Sequence, residues 1–206
     1  DGTDFAGWQW QPKQRSVQEE LEAAIERVTQ AKSRCTASGR TDAGVHALGQ
    51  VVSFESETAL APAELTKALN AELPEDMLVF EVQLAPPGFH ALRHAMRKRY
   101  RYVIEDGRRR DLFARNYLWH IIKDLDVAAI QAAAACLVGT HDFVSYQSRG
   151  SLRLTTERTV LDVVVERRQA DLTDRVIVEV EANGFLYNMV RNIVGTLVAV
   201  GKGKQS

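Results

Sequence analysis

Cysteine is scarce in this 206-residue chain, which holds only Cys35 and Cys136. The two lie far apart and form no close pair. That spacing argues against a disulfide framework or a four-cysteine zinc site, and a reducing cytoplasm is the expected compartment. No apolar run approaches the roughly 18 residues of a membrane span. The first residues carry no basic-then-apolar signal pattern, so no membrane partner is expected. Excess charge of either sign is missing too: 26 Lys and Arg face 27 Asp and Glu, for a net charge of -1. A nucleic-acid binder is often basic overall, so this balance argues weakly against one. No G-x-x-x-x-G-K-[ST] loop occurs, and no nucleotide cofactor is expected. Fixed-period repeats and low-complexity tracts are lacking as well.

What is present is ordinary globular composition, 45% hydrophobic and 26% charged. The length suits one large domain or two modest ones. Charge is unevenly placed. Arg93, Arg97, Lys98, Arg99, Arg101, Arg108, Arg109 and Arg110 cluster within a short span, opposed only by Glu105 and Asp106. Such a stretch fits an RNA surface, and equally a solvated charged face.

Periodicity sketches the elements. Residues 1–12 read as a strand end and loop, a compact opening that suggests missing upstream residues. Ser16 and Glu19 fit a capping box, with Val17, Leu21, Ala24, Ile25 and Val28 at helical spacing behind them. Val51 to Glu55 reads as a strand. Pro62 suits a helix start and Pro74 its end, with Leu65, Leu69 and Leu73 on one face. Met77 to Leu84 reads as a second strand. Ala85-Pro86-Pro87-Gly88 interrupts both periodicities and is the expected boundary between domains 1–87 and 88–206. Beyond it, Arg99–Glu105, Thr159–Arg167 and Arg175–Glu181 read as strands, the last two adjacent. Val127–Val138 reads as a helix stopped by Gly139, and Leu186–Val200 as a final apolar helix. Strands mixed with amphipathic helices in each half imply an α+β fold of two domains, each an antiparallel sheet with helices packed on it.

The densest chemical signal is Ser38-Gly39-Arg40-Thr41-Asp42-Ala43-Gly44-Val45-His46-Ala47. Two glycines bracket a polar loop with Asp42 at its middle. A guanidinium at Arg40 would keep that carboxylate ionised and orient it, ready to act as nucleophile or base. From the residues alone an ordinary Asp-Gly turn is the stronger alternative. His90 and His94 lie four apart but lack the adjacent glutamate of a zinc helix, and no metal site is expected. His46 reads as a loop brace.

The string Gly39–Ala47 resembles the active-site signature of the tRNA pseudouridine synthase A family. Three further segments are similar to family motifs in the same order: Asp1–Pro12, Lys98-Arg99-Tyr100-Arg101-Tyr102, and Phe185–Gly195. The resemblance spans nearly the whole chain. The family's first strand is incomplete here and the family continues past the final helix, so the chain reads as trimmed.

The resemblance implies an isomerase that converts uridine to pseudouridine on the 3' side of the tRNA anticodon stem-loop, without cofactor, as a homodimer. It implies a basic cleft between the domains with Asp42 as the catalytic carboxylate. Arg191 would be its ion-pair partner and Tyr100 a stacking platform for the target base. Arg40 would hold the flipped nucleotide or a phosphate. RNA-backbone candidates are Arg93, Arg97, Lys98, Arg99 and Arg101. Alternation along a strand puts Tyr100 and Tyr102 on one face and Arg99 and Arg101 on the other; Tyr102 reads as a core residue. Two rival readings are a non-catalytic RNA-binding module and a small-molecule enzyme acting on a sugar or nucleotide.

Overall fold

A computed structural model describes residues 1–150, 155–170 and 172–204. The chain divides into two compact units, Asp1–Ala95 and Met96–Ser206, both mixing helices with strands. The segment just past the Ala85–Gly88 break stays with the first unit. Ala91 is buried there, and its N–H donates to Ser53 Oγ (3.2 Å).

In the first unit α1 (Val17–Thr29) starts where Ser16 Oγ accepts the Glu19 N–H (3.3 Å). β1 (Thr36–Ala37) pairs antiparallel with β2 (Val52–Ser53), a shorter strand than Val51–Glu55 suggested. α2 (Pro62–Glu72) follows, with Pro62 in its first turn and Glu64 accepting the Ala61 N–H (3.1 Å). Leu21, Ala24, Ile25, Leu65 and Leu69 close a core with Trp8, Cys35 and Ala37.

The expected strand at Met77–Leu84 is not one. Its side chains alternate only as far as Phe80: Met77 and Val79 pack on the core and Leu78 and Phe80 are exposed, but the next core contact is Val82, out of step with them. Its backbone, however, bonds to side chains of α2 rather than to another strand. Asn70 Oδ1 accepts the Val79 N–H, Asn70 Nδ2 donates to the Val79 carbonyl (both 2.8 Å), and Thr66 Oγ1 accepts the Val82 N–H (3.0 Å). Two polar side chains on one helix satisfy the groups a ladder would otherwise use.

The second unit is built on a five-stranded sheet. β3 (Lys98–Asp106), β4 (Trp119–Ile121), β5 (Gly139–Asp142), β6 (Glu157–Arg168) and β7 (Arg175–Ala182) lie in the order β4-β3-β7-β6-β5. The β3–β4 pair is parallel, so the sheet is mixed rather than wholly antiparallel. α3 (Val127–Ala135) is capped by Asp126, whose carboxylate accepts the Ala129 N–H (2.9 Å). It ends short of the expected Val138, and Gly139, at φ +115°, opens β5 instead of capping the helix. α4 (Met189–Gly201) buries Met189, Val190, Ile193, Val194, Leu197 and Val198, the expected stripe. These pack with Ile104, Val165, Val176, Val178 and Val180. Among the described residues no helix is long and apolar enough to cross a membrane.

Candidate active site

The loop at Asp42 is held by backbone contacts to the opening residues of the chain. Trp8 N–H donates to the Thr41 carbonyl (3.0 Å), Gly44 N–H to the Phe5 carbonyl (3.1 Å), and Val45 N–H to the Asp42 carbonyl (3.1 Å). His46 Nδ1 lies 3.0 Å from the Gly2 amide nitrogen and 3.0 Å from Asp1 Oδ1, so this side chain braces the loop. The approach is close enough to require glycine. A Cβ on Gly7 would sit 2.4 Å from the Thr41 carbonyl oxygen, and one on Gly2 would sit 2.1 Å from that of Val45. Gly7 (φ +100°) and Gly44 (φ +75°) also occupy the left-handed region. Gly39, its carbonyl bonded by Gln50 Nε2, is not among the residues at positive φ.

This threading leaves the Asp42 side chain exposed at the loop's tip. Arg40 is exposed as well, and the two form no ion pair. The expected orientation of Asp42 by Arg40 is therefore absent from this loop: backbone geometry, not a guanidinium two residues away, positions the carboxylate. Gly2 and Gly7 belong to the opening segment that reads as a strand end and loop, but a glycine's need for close approach is visible only once its neighbour is known.

In the second unit Tyr100 and Tyr102 share the face of β3 that meets the core, as their alternation requires. Tyr100 is half-buried, with the ring of Phe185 edge-on to it at 5.1 Å. Arg191 stands exposed in the first turn of α4, on the face of Asn188 and Gly195. Within its own unit it makes no ion pair or hydrogen bond to a described residue.

The opposite face of β3 is occupied by ion pairs. Arg99 and Arg101 lie across from Glu181 and Glu179 of β7. Arg99 reaches Glu181 (2.7 Å), Glu179 (2.9 Å) and Asp162 (3.6 Å); Arg101 reaches Glu179 (2.5 Å); Arg97 reaches Glu181 (3.1 Å). Hydrogen bonds from Arg99 hold the Glu181 carboxyl below its usual range. Burial pushes Glu179 upward, but the bonds from Arg101 and Arg99 outweigh it and the net direction is down. Three arginines thus face three carboxylates, and little net charge is left on this face. The signal was present in β7, where Glu179 and Glu181 alternate with Val178 and Val180. Of the other basic residues on the RNA-backbone side, Lys98 is half-buried, and Arg93 is exposed in the first unit.

His90 and His94 brace a turn. His94 Nδ1 accepts the His90 N–H (3.0 Å) and His90 Nδ1 accepts the Arg93 N–H (3.3 Å). Among the described residues no group of three or more His, Cys, Asp or Glu could hold a metal ion.

The loop at Asp42 and the first turn of α4 lie within the residues that a family profile matches; the tyrosine strand β3 lies outside them. The sequence profile of a family described as tRNA pseudouridine synthase matches residues 1–94 and 133–206. Among curated proteins, the tRNA pseudouridine synthase A of Thermoanaerobacter sp. strain X514 is 44% identical over 204 residues, 99% of this chain and 82% of that protein. Those of Halalkalibacterium halodurans and Geobacillus sp. strain WCH70 are each 46% identical over 207 residues, all of this chain and 77% and 82% of theirs. The chain belongs to the tRNA pseudouridine synthase family.

Proposed function

We propose that this protein is an isomerase that converts uridine to pseudouridine in tRNA, on the 3' side of the anticodon stem-loop, with Asp42 as its catalytic carboxylate. The observation that carries the reading is the loop at 39–47: a family signature whose backbone is clamped by glycine contacts while its one carboxylate is left exposed. The similarity to proteins named tRNA pseudouridine synthase A supports tRNA as substrate.

The reaction breaks the bond from ribose C1' to uracil N1. The base turns while held, C5 bonds to C1', the C5 proton leaves and N1 regains one. Electrons balance without a redox partner. An ionised carboxylate can attack C1', add to C6, or remove the 2' proton, and each route keeps Asp42 at the centre. Arg191 is the proposed ion-pair partner of Asp42. Among the described residues each is unpaired within its own unit, and together they would satisfy one another. Tyr100, already ordered by Phe185, is the proposed platform for the turned-out base. Arg40 is the proposed clamp on a neighbouring phosphate. The proposed setting is a cytoplasmic homodimer.

The test uses tRNA carrying tritium at C5 of uridine. Wild type should release tritium; Asp42→Asn and Asp42→Ala should bind tRNA and release it at least about 10³-fold more slowly. Wild type that binds tRNA and releases none would instead make this an RNA-binding module.

A further inference from the structure

With the β3 arginines paired, a run of three exposed arginines without ion pairs stands on the loop that connects β3 to β4. Arg108, Arg109 and Arg110 are all exposed, and none bonds to or pairs with a described residue. The acidic residue that follows them, Asp111, is turned inward and only 6% exposed. Beyond it Phe113 is 89% exposed.

The base of this loop is rigidly fixed. Gly107 N–H donates to the Ile121 carbonyl (2.9 Å), and His120 Nε2 lies 3.0 Å from the Gly107 carbonyl. Glu105, 1% exposed, accepts the Asp111 N–H (2.8 Å) and the Thr173 hydroxyl. Asp111 accepts the Phe113 and Ala114 N–H groups (2.9 and 3.1 Å) and pairs with Arg175 (3.1 Å). Two buried carboxylates thus hold the loop from within, and the arginines and Phe113 project from it.

We propose that this loop is an RNA-docking finger, with Arg108–Arg110 on backbone phosphates and Phe113 stacked on an unpaired base. The inference rests on the tRNA reading above and moves the main phosphate contacts from the arginine face of β3 to the loop. The exposed carboxylate of Asp124 lies against Gly107 at the base of the loop but forms no ion pair with the three guanidiniums, and three consecutive guanidiniums opposed by one carboxylate suit a polyanion. A neighbouring exposed ring suits a base face. A protein partner packing on Phe113 would have to desolvate three unpaired charges.

The experiment measures the Kd of unmodified tRNA at several salt concentrations, with tritium release alongside. The variants are Arg108→Gln/Arg109→Gln/Arg110→Gln, Phe113→Ala, and Arg99→Gln/Arg101→Gln. The loop triple should reduce the slope of log K against log salt by about two to three, one per lost phosphate contact. Phe113→Ala should weaken binding about tenfold with the slope kept. The β3 double should change the slope by less than the triple. The proposal is overturned if wild type binds tRNA and the triple matches its affinity and slope. It is equally overturned if the triple changes only the sedimentation of the free protein, which would make the loop a protein contact. Wild type that shows the arginine-dependent slope but releases no tritium sinks the synthase reading and leaves the docking finger standing.

Discussion

The loop at Asp42 and the arginine face of β3 are both rich in polar side chains, yet they are held in opposite ways. The first is fixed by backbone: carbonyls of Phe5, Thr41 and Asp42 accept N–H groups, and two glycines let the strands of chain touch. Its charged side chains are left unused within the unit. The second is fixed by side chains: Arg97, Arg99 and Arg101 spend their donors on Glu179, Glu181 and Asp162. A charge is available for chemistry or for a ligand only where something else carries the structure. By that criterion Asp42 and Arg108–Arg110 are available and the β3 arginines largely are not.

The sharpest way to break this contrast is Gly7→Ala. The added methyl would collide with the Thr41 carbonyl and force a side chain into φ +100°. Strain and overpacking together should cost about 3 kcal/mol, read from the urea midpoint. Displacing Asp42 should slow tritium release by about 10²-fold. Gly44→Ala is the milder companion. A Cβ there meets nothing within 4 Å, so only the backbone at φ +75° is strained. About 1 kcal/mol is expected. Equal losses in the two variants would show that conformation, not close approach, decides the loop's position.

The arginine face makes a pH prediction. Glu179 and Glu181 have folded pKa values below their unfolded ones. Their contribution to stability is therefore fully present above the unfolded carboxylate range, near pH 4.3, and is lost as pH falls through the folded values. Arg99→Gln/Arg101→Gln removes the partners that depress them. The double variant should lose stability at pH 7 and then fall less steeply on acidification, with a slope smaller by up to about two protons. Parallel curves for wild type and variant between pH 5 and pH 3, in denaturant melts, would refute the coupling.

Sequence reasoning reached different depths in these regions. Helices α1, α2 and α4 were legible because an amphipathic stripe and its cap are local properties, as Ser16 and the Met189–Val198 stripe show. The face assignment of Tyr100 and Arg99 followed from strand period alone. Met77–Phe80 alternates in the same way, but whether an extended run joins a ladder depends on what lies beside it, here Asn70 and Thr66. The short β4 and β5 carry too few residues for a periodic signal. The residues alone offer Asp42 either as a reactive carboxylate or as part of an ordinary turn, and the family signature favours the first. The reason for its placement, a carbonyl packed against Gly7, joins residues far apart in sequence and could not be read from either.

The smallest expected effect is that of Arg97→Gln. Arg97 also pairs with Glu181, but its side chain is 72% exposed, against 48% for Arg99. An exposed pair gains little Coulomb energy in water and loses side-chain entropy on forming. Glu181 keeps its shorter bond from Arg99 when Arg97 is removed. The melting temperature should therefore move by less than about 1 °C. A shift as large as that of Arg99→Gln would mean that the whole arginine row acts as one network, and that charge on this face is still less free to meet RNA.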